Sequence, residues 1–247
     1  MATSLTFKPK QVIKRVLDSL NNRARDIISS RYGLGREPKR MTLEAIGKKY
    51  EITRERVRQI ENYALNQMRK SDSFRKEKVS FDELKKVFYG AGGIVSEQTI
   101  LNHLAKNKTD QNHLYLMMVL GDDFRRLKED DEFHHRWFVD DALSKKVHES
   151  LRKLYKNISD DDIIPEGEIV DSFLKHLEDV NEEYKNEEIL KRWLVLSKKI
   201  AKNPLGEWGL ATSPNIKVKG VRYYAFLVLR KHGSPIHFRE VAKQIEK

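Results

Sequence analysis

Apolar residues repeat at helical spacing along nearly the whole chain. Val12, Ile13, Val16, Leu17 and Leu20 share one face and predict a helix over Lys10–Leu20. Ala24, Ile27 and Ile28 predict a second over Arg23–Tyr32, capped by Asn21 or Asn22. Gly33 and Gly35 suit the left-handed backbone that ends a helix. Leu43, Ile46 and Tyr50 mark a third helix, and Val57, Ile60, Ala64, Leu65 and Met68 a fourth. Thr42 and Thr53 stand where each needs an N-cap oxygen for its orphan amides. Only Glu51 and Ile52 separate Tyr50 from Thr53, so these two helices are expected to cross steeply as a helix-turn-helix. Gly47 lacks a side chain where a partner helix could approach closely. As an ordinary mid-helix glycine it would cost about 1 kcal/mol against Ala.

Beyond a polar linker over Ser71–Lys78, one plan is expected twice. In the first copy Phe81–Tyr89 is a helix, Gly90, Gly92 and Gly93 break it, Ser96 caps a helix to about Ala105, and Asn112–Leu120 is a third. A hairpin follows, with strands Phe124–Leu127 and His134–Val139 and a turn through Glu129–Glu132. In the second copy the helices are Asp141–Ile158, Ile164–Leu177 and Glu187–Leu196, and the hairpin turns at Asn203-Pro204-Leu205-Gly206. Trp137 and Trp208 fall at similar places in the second strand of each hairpin. Three helices and a hairpin make a winged helix. The expected fold is therefore mainly α: tandem helix-turn-helix and winged-helix modules with small β-hairpin wings. The expected modules span 1–72, 79–140, 141–216 and 218–247.

Charge separates these modules. The chain of 247 residues carries a net +11, and residues 1–78 hold 20 Lys and Arg against 9 Asp and Glu. The remainder holds 28 of each sign, so the whole excess lies with the first helix-turn-helix. Such a domain attracts phosphate through counterion release, whatever the sequence. Arg54, Glu55, Arg56, Arg58 and Gln59 crowd the first turns of the fourth helix, off its apolar stripe. Arg pairs bidentately with guanine, Gln with adenine, and Glu accepts from the cytosine amino group. A solvated helix face is the plainer explanation of such a charge run. The preceding helix and the two-residue turn favour a groove-reading one.

The run NRARDIISSRYGLGREPKRMTLEAIGKKYEITRERVRQIENYALNQMR closely resembles region four, the C-terminal DNA-binding domain of the primary bacterial sigma factors, over about residues 22–69. The resemblance implies reading of the promoter −35 element, with Arg54, Glu55 and Gln59 on bases. It places Arg40, Thr42, Arg56 and Arg58 on or near the DNA backbone; Lys39 in the basic loop before the third helix and the cap Thr53 are further backbone candidates. It also implies a grip on the β flap of RNA polymerase, for which Ile27, Ile28 and Tyr32 are the candidates, or else core residues. About 20 residues precede the match, so no promoter-melting region is expected and the chain alone should not open a promoter. The phrase GSPIHFREVAKQI at Gly233–Ile245, with Tyr224, Ala225 and Leu229, resembles the opening of a HARE-type helix-turn-helix, the module also found in the delta subunit of bacterial RNA polymerase. That module is expected to be incomplete.

Other chemistry finds little support. Cys is absent, so thiolate ligands, disulfides and a Cys nucleophile are excluded. His134 and His135 are adjacent and point to opposite faces of a strand. His103 and His113 lack carboxylates at zinc spacing, and the acid runs Glu129–Glu132 and Asp160–Asp162 lack the calcium-loop pattern. His237 falls within the HARE-like phrase. No phosphate-cradling glycine loop or nucleophile motif is present, and no apolar run approaches membrane-spanning length. The expectation is a non-enzymatic, cofactor-free, cytoplasmic and nucleoid-associated transcription factor. Its expected partners are double-stranded promoter DNA and the RNA polymerase core, with no membrane and no small-molecule substrate. The alternatives are a DNA-binding regulator without polymerase contact, or the DNA-binding part of a nuclease-linked HARE protein.

Overall fold

A computed structural model describes residues 5–217 and 220–245 of the chain. Thirteen α-helices and five short strands are found among the described residues, a mainly helical fold with small sheets. The helices form two compact units. The first takes the chain through Leu127 together with Trp137–Val139. The second takes Lys128–Arg136 and the chain from Asp140 onward.

In the first unit, α1 (Pro9–Leu17) starts on a proline that suits the first helical turn. It ends three residues short of the expected Leu20, and the chain turns there so that Asn21 caps α2 (Asn22–Tyr32), accepting from the Ala24 amide at 2.9 Å. Then come α3 (Leu43–Tyr50) and α4 (Arg54–Lys70). The segment expected to be a linker is instead helical, as α5 (Asp72–Lys76) and the start of α6 (Lys78–Gly90). Ser71 caps α5 by accepting from the Phe74 amide, Phe74 packs on Phe81 with ring centres 4.8 Å apart, and Glu77 binds Arg15 of α1. A polar run with a single aromatic shows no helical stripe. Its order comes from neighbours distant in sequence.

The first copy of the repeated plan continues through β1 (Ile94–Ser96), α7 (Glu97–Leu104), α8 (Lys108–Leu120), β2 (Arg125–Leu127) and β3 (Arg136–Phe138). The strand β1 was not expected, because its three residues directly follow the glycines and are all buried, with no alternation. It pairs with β3, giving a sheet in the order β1-β3-β2. The helix α8 begins at Lys108, capped by Asn107, four residues earlier than expected. Its buried Leu114, Leu116, Met117, Met118 and Leu120 join residues of α1, α2, α4 and α6 in one hydrophobic core. The boundary expected between 72 and 79 lies inside this unit.

The second unit contains α9 (Asp141–Lys156), α10 (Glu166–Lys175), α11 (Glu187–Leu194), the hairpin β4 (Ile200–Lys202) and β5 (Trp208–Leu210), then α12 (Val221–His232) and α13 (Phe238–Ile245). In the hairpin Ile200 lies opposite Leu210 and Lys202 opposite Trp208, with the turn at the expected residues. Ile164, just ahead of α10, bridges to Trp208 much as β1 joins β3. The two copies share a polar cluster as well. Glu97 opens α7, binds Arg126 of β2 at 2.6 Å and accepts from the Trp137 indole at 2.8 Å. Glu166 opens α10, binds Lys202 of β4 and accepts from the Trp208 indole at 3.5 Å. Hydrogen bonds from Lys191 and Lys202 depress the Glu166 carboxyl to about 2.

In the Lys128–Arg136 turn, Arg136 donates from Nε to His148 Nε2 of α9 at 2.7 Å, and Glu132 binds Arg152 and Tyr155 of the same helix. Burial, then the charges of Arg136 and Arg152, push His148 down to about 4. The unfolded chain therefore takes up this proton from about pH 6.5 downward while the folded chain resists until about pH 4. Stability is complete above that window and falls through it as pH is lowered. Thermal melts of the full chain followed by Trp fluorescence should show a loss of about 3 kcal/mol across that range, at 1.36 kcal/mol per unit. His148→Gln, whose amide oxygen can accept from Arg136 without titrating, should make that slope clearly shallower, leaving only what the depressed carboxylates such as Glu166 contribute at its acid end. An equal slope in both proteins would refute this assignment.

The α3–α4 connection is a second constraint. Glu51 sits in left-handed backbone (φ 54°), and Ile52 N donates to Gly47 O at 3.0 Å. A Cβ on Gly47 would lie 2.6 Å from Ile52 O, so the glycine is there for close approach of the turn. Gly47→Ala should destabilise the chain by about 1–3 kcal/mol through overpacking, despite the better helix propensity of Ala. Urea denaturation measures this, and a stabilised variant would contradict the close approach.

Candidate nucleic-acid interface

The helix-turn-helix is held on its inner side and free on its outer side. Ile27 of α2, Ile46 of α3 and Val57 of α4 are wholly buried together, with Met41, Leu43, Tyr50, Ile52 and Ile60 packed around them. Thr42 Oγ1 accepts from the Ala45 amide and Thr53 Oγ1 from the Arg56 amide, each at 3.1 Å. Both threonines are exposed and keep a hydroxyl proton to donate. Glu61, the last residue of the TRERVRQIE run, turns inward. It accepts from Tyr32 Oη at 3.1 Å and Arg31 Nε at 3.3 Å, and Arg31 also donates to Met41 O. This buried carboxylate ties α4 to α2. Burial and the Glu61 charge together push the Tyr32 hydroxyl well above its usual range.

Arg54, Glu55, Arg56, Arg58 and Gln59 are all exposed on the first turns of α4. Glu55 is gripped by Arg58, Nε to Oε2 at 2.8 Å and Nη2 to Oε1 at 2.6 Å. Arg56 Nη1 donates to Gln59 Oε1 at 3.1 Å. The Arg58 hydrogen bonds hold Glu55 below the usual carboxylate range and raise Arg58, so both are ionised at neutral pH. Exposed pairs of this kind are screened by solvent and weak, so they exchange readily for base or phosphate contacts. Tyr63, one turn beyond Gln59, is 58% exposed and adds an aromatic ring to this face, where a lone tyrosine off the apolar stripe carries no distinctive signal in sequence. Two grooves open at the helix-turn-helix. One of about 570 Å³ is lined by Lys48, Thr53, Arg54 and Arg56 together with the carboxylates Glu44 and Glu51. Another of about 550 Å³, at the start of α3 and away from α4, is lined by Ser29, Ser30, Glu37, Lys39, Arg40 and Thr42.

Other expected site residues are placed differently. Lys39 is exposed, but Arg40 turns inward. Its Nε donates to Asn112 Oδ1 at 2.9 Å and its guanidinium lies 3.9 Å from the centre of the Tyr115 ring, where burial lowers its pKa. A phosphate would have to draw it out of that seat. Ile27, Ile28 and Tyr32 are core residues, so the polymerase contact expected of them has no exposed surface to act through. A buried aliphatic pair one turn from a tyrosine looks the same in sequence whether it meets its own core or a partner. Asn112 and Tyr115, which receive Arg40, carried no sequence signal, since they lie over seventy positions away. Among the described residues no cluster of three or more His or acidic side chains could hold a metal ion. No helix there is long and apolar enough to cross a membrane.

Comparison with known proteins finds a likeness confined to the segment that carries this interface. Residues 16–70 match the family model described as Sigma-70, region 4. RNA polymerase sigma factor RpoD of Helicobacter pylori is 48% identical over 60 residues, which is 24% of this chain and 9% of that protein. RNA polymerase sigma factor SigA of Nostoc sp. is 47% identical over 60 residues, 24% of this chain and 15% of its own length. SigA of Microcystis aeruginosa is 45% identical over the same length, covering 14% of that protein. No solved structure matches. The chain thus spans 9–15% of the length of these curated relatives, and its likeness to sigma factor region 4 is carried by α2, α3 and α4 with their flanks.

Proposed function

We propose that this protein is a sequence-specific DNA-binding transcription factor that recognises −35-like promoter DNA and acts with RNA polymerase in initiation. The observation that carries the reading is the exposed Arg54–Gln59 face on a helix fixed by the Glu51–Thr53 turn, within a segment similar to sigma factor region 4. In this reading α4 enters the major groove by its N-terminal turns, and Arg54, Glu55 and Gln59 meet base edges. Arg56 and Arg58 lie nearer phosphate, as do Lys39, Thr42 and Thr53. The two grooves beside the α3 and α4 caps give phosphates room to approach. The pair α12 and α13, joined at Gly233 with φ 71°, supports a HARE-type module in the tail.

One observation favours a second reading. Ile27, Ile28 and Tyr32 are buried, which leaves the DNA-facing surface better supported than the polymerase-facing one. A regulator that occupies −35-like sites without touching polymerase fits that observation. Co-precipitation with core polymerase separates the two readings.

Fluorescence anisotropy of the full chain on a −35-like duplex and a scrambled one tests the base-reading face. Arg54→Ala or Gln59→Ala should lower discrimination between them by about 1–3 kcal/mol, roughly 5- to 150-fold, with the larger loss on the matched duplex. Unchanged discrimination would remove these residues from base reading.

A further inference from the structure

In a module of three helices and a hairpin, the helix before the hairpin is the one offered to a DNA groove. Here that helix is α8, and beyond its first turn, where Lys108 is exposed, it is almost wholly covered. Gln111, Asn112, His113, Leu114, Leu116, Met117, Met118 and Leu120 are all buried, and α8 packs against α1, α2 and α4. Its polar residues have another use. Asn112 is wholly buried, and its Nδ2 donates to Gly33 O at 2.9 Å and Pro38 O at 3.0 Å while its Oδ1 accepts from Arg40 Nε at 2.9 Å. Both amide protons and the oxygen are spent on the loop between α2 and α3. Gly33 has φ 63°, and a Cβ there would lie 2.8 Å from Asn112 Nδ2. One turn along, Tyr115 presents its ring to Arg40, and the Trp137 ring stands perpendicular to Tyr115 with centres 5.7 Å apart.

We propose that Asn112 and Tyr115 are positioning residues for DNA binding. They set the 33–42 segment so that Lys39 and Thr42 stand against the phosphate backbone, while neither touches DNA. The module that follows the helix-turn-helix is thereby a scaffold for it, not a second DNA reader. A charge-assisted hydrogen bond and a ring face on one guanidinium fix the loop at its far end, and two carbonyl bonds fix its start and middle. The inference rests on the helix-turn-helix being the DNA-binding element.

The test uses the full chain and measures binding to the −35-like and scrambled duplexes across a salt series, at temperatures where circular dichroism shows each variant folded. Asn112→Ala and Tyr115→Leu should weaken binding to both duplexes by the same factor and make the salt slope shallower by about one, the loss of one phosphate contact. Their discrimination ratio should equal that of the parent. Tyr115→Phe keeps the ring face and should keep the parental slope. If Asn112→Ala does not fold, Arg40→Lys takes its place: it retains the charge but loses the bond to Asn112, and the same shallower slope is expected. An unaltered slope in folded variants, or a changed ratio, overturns the proposal. Failure of the parent chain to bind either duplex would overturn the DNA-binding reading itself.

Discussion

The first unit depends on the burial of α8. A helix hidden nearly all round must be covered on every side. α1, α2 and α4 cover part of it, and the sheet and α6 complete the same core. Each buried Leu or Met side chain contributes on the order of 1.5–3 kcal/mol relative to an exposed one. Five such residues on α8 outweigh any single surface interaction nearby. For that reason the basic helix-turn-helix and the helices α5 to α8 share one core. A polar consequence follows, because Asn112 and Tyr115 are carried on α8 to where the α2–α3 loop needs partners.

Within the TRERVRQIE run, charge serves two purposes that burial tells apart. Arg54, Glu55, Arg56 and Arg58 face solvent, and their mutual pairs are weak enough to yield to a ligand. Glu61 is buried and accepts from Tyr32 and Arg31. Removing its partners would strand a carboxylate, and breaking a buried pair is costly. The outer face is therefore free to bind while the inner face holds α4 at one orientation.

The repeated plan in the two units is carried by chemistry more than by letters. A glutamate at the first turn of the middle helix receives a cation from the first hairpin strand and an indole N–H from the second: Glu97, Arg126 and Trp137 in one copy, Glu166, Lys202 and Trp208 in the other. The carboxylate satisfies the indole donor at the hairpin's base, where an unpaired N–H would be penalised. In the first copy α8 carries Tyr115 against Arg40, and in the second α11 carries Lys191, which binds Glu166 directly. One scaffold thus offers a ring to Arg40 in the first copy and a third charge in the second.

Local pattern alone was enough for the elements whose signals lie within a few residues of each other. The caps Thr42 and Thr53, the two-residue turn, the apolar stripes of α1 to α4 and the second hairpin turn are all of this kind. The exposed face Arg54–Gln59 was legible for the same reason, since it is what remains off the stripe. Tertiary structure decided whatever depends on a distant neighbour. The helix α5 forms because Phe74 finds Phe81 and Glu77 finds Arg15, and β1 is a strand because β3 lies beside it. Arg40 reads as a free cation in sequence but turns inward because Asn112 and Tyr115 wait for it. Ile27, Ile28 and Tyr32 read equally well as surface or core until packing buries them. Periodicity reports which side of an element is apolar, and only the packed chain determines what that side, or a lone charge beside it, will meet.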